Sequence, residues 1–204
     1  MTTDCHVSIS LDGYLAGPDQ SLDAPLGVGG QRMHAWHWPG TEPANEADAA
    51  ATADLMTPRG AYVMGRNMFG PVRGPWASYD GEWRGWWGEE PPYRAPVFVL
   101  THHAHEPLVM AGGTTFHFVT DGFDAAYARA REAAGDGDVR VTGGAATVRQ
   151  AFAAGVLDEI TLDVTPVLLG AGERLLDGVA DPGLRLVDVT WSPAATHLRY
   201  RVGR

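Results

Sequence analysis

Residues 139–155 read VRVTGGAATVRQAFAAG, and the reading of this stretch decides the fold. Val139 and Val141 alternate with Arg140 and stop at Thr142-Gly143-Gly144; Val148, Phe152 and Val156 then recur at helical spacing. The pattern predicts a strand, a glycine turn and the start of a helix. Two readings of the glycines are open. They can serve only to turn the chain tightly. Alternatively, their missing side chains let a ligand approach the backbone, where the unpaired N–H groups and the positive end of the helix dipole favour an anion.

The same alternation of strand and helix extends outward from this unit. Residues 6–17, HVSISLDGYLAG, set Val7, Ile9 and Leu11 against His6, Ser8 and Ser10, the period of a strand, before Gly13 and Gly17-Pro18 break it. Asn45 to Met56 is alanine-rich with acidic residues early, as a helix start prefers, and Pro58 closes it. AYVMG (61–65), PVFVLT (96–101) and TTFHFVT (114–120) read as strands, and FDAAYARAREAAG as a helix. EITLDVTPVLLG (159–170), LRLVDVTWS (184–192) and THLRYRV (196–202) make a strand-only ending. The expected class is α/β: a mainly parallel central sheet flanked by helices, with antiparallel C-terminal strands. Two Gly- and Pro-rich stretches, 18–40 and 70–96, carry most of the tryptophans; the first reads as a long loop or lid over an active surface and the second as an irregular region without a repeat.

At 204 residues the chain is expected to form one domain, residues 1–204, with sizeable loops. No apolar stretch is long enough to cross a bilayer, and Met1 to Asp4 lead directly into strand-like sequence without the pattern of an export signal, so a cytoplasmic protein is expected. Cys5 is the only cysteine, which excludes an intrachain disulfide and a cysteine metal cluster. The formal net charge of −10 opposes nucleic-acid binding. All 15 basic residues are arginine. A lysine Schiff base is therefore impossible, and any phosphate must be held by Arg, backbone N–H or hydroxyl groups.

In parallel sheets ligands gather outside the carboxyl ends of strands. Three ends stand out here: VMGRN (63–67), VLTHH (99–103) and VTGG (141–144). Each has a bland reading, as a turn with a surface arginine, a strand cap with loop histidines, and a tight turn. Together they offer a glycine-flanked helix start, a planar cation and a hydroxyl, the parts that hold a pyrophosphate and a sugar phosphate. His102, His103 and His105 raise the question of a metal, as do His34 and His37, but adjacent histidines on extended chain point to opposite sides and no acidic residue stands in ligand spacing, so no metal is expected. Met33, His34, Trp36, His37 and Trp38 cluster in the first loop, where the tryptophans either pack the loop or border a flat heterocycle. Asp12 beside Gly13 is either a turn carboxylate or an acid, and Glu46 and Asp48 are either helix-dipole partners or pocket carboxylates.

The order of SISLDGYLAGPD, AYVMGRNMFGP, VFVLTHH and VTGGAATVRQAFAAGVLDEITLDVTPVLLGAGERLLDG resembles the dihydrofolate-reductase-like family that includes the reductase domain of riboflavin biosynthesis, from about residue 5 to 202. The resemblance implies a central sheet with NADPH across its strand ends. Gly143, Gly144, Ala145 and Thr147 match the family's glycine motif, where the cofactor diphosphate meets a helix start. Gly65, Arg66 and Asn67 match its G-R-K/N-T segment, with the arginine near the cofactor phosphates and Met68 in place of the common threonine. Thr101 and His102 match the segment beside the adenosine 2′-phosphate. The acidic residue of dihydrofolate reductases falls near Asp48 or Ala49.

The expected function is thus an NADPH-dependent reductase of a small heterocyclic substrate of pterin, imine or ribosylaminopyrimidine type, and by resemblance a homodimer. Asp12 is the first choice to polarise or protonate the substrate and Asp48 the second. The nicotinamide is expected near Tyr14 and the loop holding Trp36. Leu169, in Leu169-Gly170-Ala171-Gly172, either borders the substrate or forms a bare hairpin turn. The alternative is a non-catalytic nucleotide- or heterocycle-binding protein on the same fold.

Overall fold

The structure is a computed structural model that describes residues 1–37, 45–70, 74–79 and 81–203. Trp38 of the aromatic cluster, and parts of the 70–96 stretch, lie outside the described residues. The strands are β1 (Thr3–Ser10), β2 (Tyr14–Ala16), β3 (Ala61–Gly65), β4 (Pro96–Leu100), β5 (Leu108–Val109), β6 (Thr115–Val119), β7 (Val139–Gly143), β8 (Glu159–Thr165), β9 (Glu173–Arg174), β10 (Arg185–Trp191) and β11 (Thr196–Arg201). The α-helices are α1 (Glu46–Leu55), α2 (Arg66–Phe69), α3 (Phe123–Ala134) and α4 (Ala145–Ala153).

Nine strands form one sheet in the order β10-β11-β8-β1-β7-β3-β4-β6-β5. From β8 to β6 every pairing is parallel, whereas β11 and β10 add antiparallel at one edge and β5 at the other. This is the expected mainly parallel sheet with antiparallel C-terminal strands. The run read as one strand over 6–17 is two: the chain turns at Leu11 to Gly13, where Gly13 N–H donates to Ser10 O at 2.9 Å, and β2 leaves to pair with β9.

β3 and β4 are continuous apolar runs because both their faces are covered, and β7 is buried between β1 and β3 although Arg140 alternates with Val139 and Val141. On one side α3 and α4 press Phe123, Ala126, Ala130, Val148 and Ala151 onto Cys5, Val7, Val63, Val141 and Ile160. On the other, Tyr62, Met64, Val97 and Val99 pack with Phe69, Phe116 and Phe118.

β1 is different. Its odd residues join the apolar core, and its even residues His6, Ser8 and Ser10 are buried too. Register then gathers polar side chains on one face: Ser8 stands opposite Asp163 of β8, and Asp163 stands opposite His197 of β11. Covering them is α1, whose only buried side chain is Asp48. An apolar stripe does not dock this helix; carboxylates on it reach down to the sheet.

Parallel pairing of β7, β3 and β4 brings the ends Gly143, Gly65 and Leu100 side by side. The Gly143–Gly144 peptide is cis, and Gly143 has φ +122°. A Cβ on Gly65 would lie 2.7 Å from Thr147 Oγ1, so glycine lets the start of α4 sit against the end of β3, whereas a Cβ on Gly144 would meet nothing within 4 Å. Gly65→Ala should therefore cost about 1–3 kcal/mol, the range for overpacking, and Gly144→Ala less than about 0.5 kcal/mol, as at open positions. Urea unfolding of both variants checks this, and equal losses would contradict the packing described.

Candidate active site

The three strand ends open into a cavity of about 1050 Å³. Gly65, Arg66 and Asn67 line it, as do Thr101 and His102, and Gly143, Gly144, Ala145 and Thr147. Every residue matched to the cofactor by resemblance thus faces one space. At its centre α4 begins without a side-chain cap on Gly144. Thr147 and Val148 N–H donate to Gly144 O, and the N–H groups of the turn before them remain for a ligand.

Arg66 supplies positive charge beside this helix start. Its Nη1 donates to Thr101 Oγ1 at 3.0 Å, Nη2 donates to Gly74 O at 3.3 Å, and the guanidinium stacks 3.3 Å from the Trp76 ring centroid. Trp76 is itself held by donating Nε1–H to His103 O at 2.9 Å. Nε of Arg66 is buried and has no partner among the described residues. Burial lowers the Arg66 pKa from its ordinary value, yet a guanidinium stays charged.

Across the sheet the cavity wall includes His6, Ser8 and Asp163, and with them begins a chain of alternating carboxylates and imidazoles. Asp54 accepts from His6 Nδ1 at 3.1 Å and Asp163 from His6 Nε2 at 3.0 Å. Asp163 also accepts from His197 Nδ1 at 2.7 Å, and Asp48 from His197 Nε2 at 3.0 Å. Ionised carboxylates only accept, and a neutral imidazole has one N–H. A ring whose two nitrogens both donate to ionised carboxylates is an imidazolium ion, and the surroundings of both rings favour that form. Burial pulls His6 and His197 down, but their hydrogen bonds to Asp163, with Asp54 and Asp48 behind, outweigh it and raise both. Asp163 is raised by burial and lowered more by His197 and His6, ending below its ordinary range. The hydrogen bond from His6 leads the effects that bring Asp54 down to about 2.

The first loop closes over this network. Trp36 is buried, donates Nε1–H to Ser8 Oγ at 3.1 Å and meets His197 edge-on at 4.8 Å. His34 and His37, both at the cavity, share a hydrogen bond of 3.1 Å, and burial followed by the charge of His37 lowers His34 to about 4. No group of metal-ligating side chains is assembled among the described residues.

The remaining predicted residues lie off the cavity lining. Asp12 accepts from Leu169 and Gly170 N–H at 3.1 and 2.7 Å, and Tyr14 OH donates to Gly170 O at 3.2 Å. Asp12, Tyr14 and Leu169 are brought together around one turn, with the Arg174 guanidinium 4.6 Å from the Tyr14 ring centroid. Ser10, then the Gly170 and Leu169 N–H groups, hold Asp12 at about 2, as suits a turn carboxylate rather than an acid near neutrality. Asp48 is fully buried behind His197, and its Oδ2 has no partner among the described residues. Sequence reasoning did not find His6, Asp163 and His197. Their signal was the polar half of each alternating strand, which becomes a buried row only once the register of β1, β8 and β11 is known.

The family model for the RibD C-terminal domain matches residues 4–198. The chain belongs to this family. Among solved structures, a protein assigned to riboflavin biosynthesis from Shewanella sp. PV-4 is similar at 24% identity and TM-score 0.67, with 100% of each chain covered. The diaminohydroxyphosphoribosylaminopyrimidine deaminase/5-amino-6-(5-phosphoribosylamino)uracil reductase of Thermotoga maritima matches 98% of this chain with 56% of its own, at 12% identity and TM-score 0.56. Dihydrofolate reductase from Enterococcus faecalis, complexed with NADP(H) and RAB-propyl, matches 100% of this chain with 97% of its own, at 12% identity and TM-score 0.54. No curated protein matches in sequence. The fold is that of the dihydrofolate-reductase-like reductases, and no helix among the described residues is long and apolar enough to cross a membrane.

The network makes stability pH-dependent. His6 and His197 have folded pKa values above the ordinary 6.5, so their contribution is complete below that pH and is lost as pH rises through the folded values. The thermal midpoint should fall as pH rises through a titration window that opens at about pH 6.5 and extends upward from it. His197→Asn, which can still hydrogen-bond Asp163 but does not titrate, should be less stable at the acid end of that window and decline less across it. Parallel declines in calorimetry would assign the slope to other groups.

Proposed function

We propose that this chain is an NADPH-dependent reductase of a small heterocyclic substrate. The observation that carries the reading is the convergence of the uncapped start of α4, Arg66 and Thr101 with the imidazole–carboxylate network in one cavity. The residues present fit the cofactor: the open side of Gly144 admits a diphosphate to the α4 N–H groups, and Arg66 holds a buried Nε donor in reserve. When bound, NADPH supplies the hydride.

The chain's own residues orient and desolvate the partners and supply the proton. Gly143, Gly144, Ala145 and Thr147 receive the diphosphate, Gly65, Arg66 and Asn67 flank it, and Thr101 with His102 takes the adenosine end. The proposed proton source is the His6–Asp163 pair in the cavity wall rather than Asp12, with Asp48 stabilising the far end of the same chain through His197. Trp86 and Trp87 line the cavity and limit water. The proposed setting is the cytoplasm, in keeping with the free, buried Cys5. The proposed assembly is a homodimer. β10 offers the surface: all its residues are exposed, among them Leu186, Val187, Val189 and Trp191, and among the described strands it pairs with β11 alone.

Gly144→Leu should fold and weaken NADPH at least about tenfold, by occupying the diphosphate space. Arg66→Ala removes a charge-assisted donor worth about 1.5–3 kcal/mol, so NADPH affinity should fall about 10- to 100-fold while that of a small heterocycle changes little. Calorimetric titration checks both, and unchanged NADPH binding in Gly144→Leu removes the cofactor from this site. NADPH oxidation over a panel of pterins, imines and ribosylaminopyrimidines tests turnover; binding without oxidation marks a nucleotide-binding protein. Light scattering should give twice the 21.8 kDa of one chain, and Val189→Glu should shift it toward one.

A further inference from the structure

The chain has only arginine with which to hold a phosphate by a permanent charge, and the described arginines of the cavity are committed away from the substrate end. Among the described residues lining the cavity, the arginines are Arg66 and Arg140. Arg66 belongs to the Thr101 end. Arg140 is only 2% exposed. Its Nε and Nη2 donate to Asp4 at 3.0 and 2.6 Å, and Nη1 donates to the Asp54 and Leu55 carbonyls at 3.2 and 2.7 Å.

The histidines do not replace them. His6 has both ring nitrogens engaged by Asp54 and Asp163. His34 and His37 contact each other through ring nitrogens, so one of the pair must accept and be neutral. The other polar groups facing this end, among the described residues, carry no positive charge: the carboxylates of Asp163 and Glu173, the amides of Gln20 and Gln31, and the Ser8 hydroxyl, which is held between Trp36 and Asp163. Leu15, Ala16, Pro25 and Leu26 complete the wall. Asp163 on β8 stands three strand positions from Arg66 at the end of β3, about 14 Å at the usual strand spacing. That is beyond the reach of one phosphate group bound at both.

We propose that the end of the cavity bounded by Asp163, His34 and Glu173 takes an unphosphorylated nitrogen heterocycle or imine, neutral or protonated, and rejects the phosphate ester of the same compound. The inference rests on the reductase reading, and deepens it by naming the substrate class. A dianion there would meet the Glu173 carboxylate and a wall in which, among the described residues, the charged donors Arg140 and His6 are already engaged by aspartates. A ring or imine nitrogen, by contrast, finds the Glu173 carboxylate and the amide oxygens of Gln20 and Gln31 as acceptors, and a flat ring finds apolar walls.

The test uses matched probes: 5-amino-6-(5-phosphoribosylamino)uracil and its dephosphorylated ribosylamino counterpart. Each is titrated calorimetrically into the full chain loaded with NADP⁺, and each is assayed for NADPH oxidation. The expected result is at least 100-fold tighter binding, and a matching ratio in kcat/KM, for the unphosphorylated member. Equal binding, preference for the ester, or binding of neither member overturns the proposal. A hundredfold preference with no NADPH oxidation by either member upholds it while the reductase reading fails; absence of NADP⁺ binding with the preference intact does the same for the cofactor assignment. Gln31→Arg, which places a free cation at an exposed lining position, should raise ester affinity at least tenfold relative to that of the unphosphorylated probe. No gain for the ester would show that charge does not govern the choice and would overturn the proposal.

Discussion

One buried carboxylate organises half of this structure. Asp163 accepts from His6 on β1 and His197 on β11, and each imidazolium passes on to an aspartate of α1. The strands fix the rings and the rings fix the helix. A buried ion pair is a weak source of net stability, because desolvation consumes most of the Coulomb gain, yet breaking one leaves a stranded charge at a cost of about 3–5 kcal/mol. Such a network therefore specifies geometry more than it stabilises. α1 shows the consequence: without an apolar stripe to slide on, it is held in register by Asp48 and Asp54, while Arg140 ties down the carbonyls of Asp54 and Leu55.

A net charge of −10 does not prevent an anion site, because the relevant field is local. Exposed charges more than about 8 Å away are largely screened at physiological ionic strength. What remains at the ends of β3, β4 and β7 is a row of backbone N–H groups, a guanidinium fixed by a hydroxyl and an indole ring, and a glycine whose missing side chain opens the way. Stacking on Trp76 holds Arg66 in place before any ligand arrives, so little of its rotamer freedom is left to lose on binding.

Much of this was legible in the sequence for a physical reason. Strands buried on both faces must be apolar runs, and a parallel strand must hand over to a helix, so AYVMG, PVFVL and the VRVTGG unit announced themselves locally. The residues matched to the cofactor lie at those handovers, which is why they meet in space. The network was hidden because His6, Asp163 and His197 are far apart in the chain and meet only through strand register. Alternation in β1 normally means a wet face, and here that face is covered by α1 and Trp36. Asp12, Tyr14 and Leu169 illustrate the converse. They sit at a break that sequence marks clearly, but the turn satisfies its own carboxylate with its own N–H groups.

The cavity thus has two electrostatic characters, and the sheet explains why they can coexist. Residues that favour anions sit where strands end, since only there do unpaired N–H groups and glycine turns occur. Residues that favour protons sit within β1 and β8, where side chains from adjacent strands stand opposite one another. Asp163 within β8 and Arg66 at the end of β3 stand three strand positions, about 14 Å, apart. Each end can therefore hold its own charge preference without cancelling the other. A reductase of the proposed kind needs that division, because the carrier brings phosphates and the acceptor needs a proton; a cavity of uniform sign would serve one at the expense of the other.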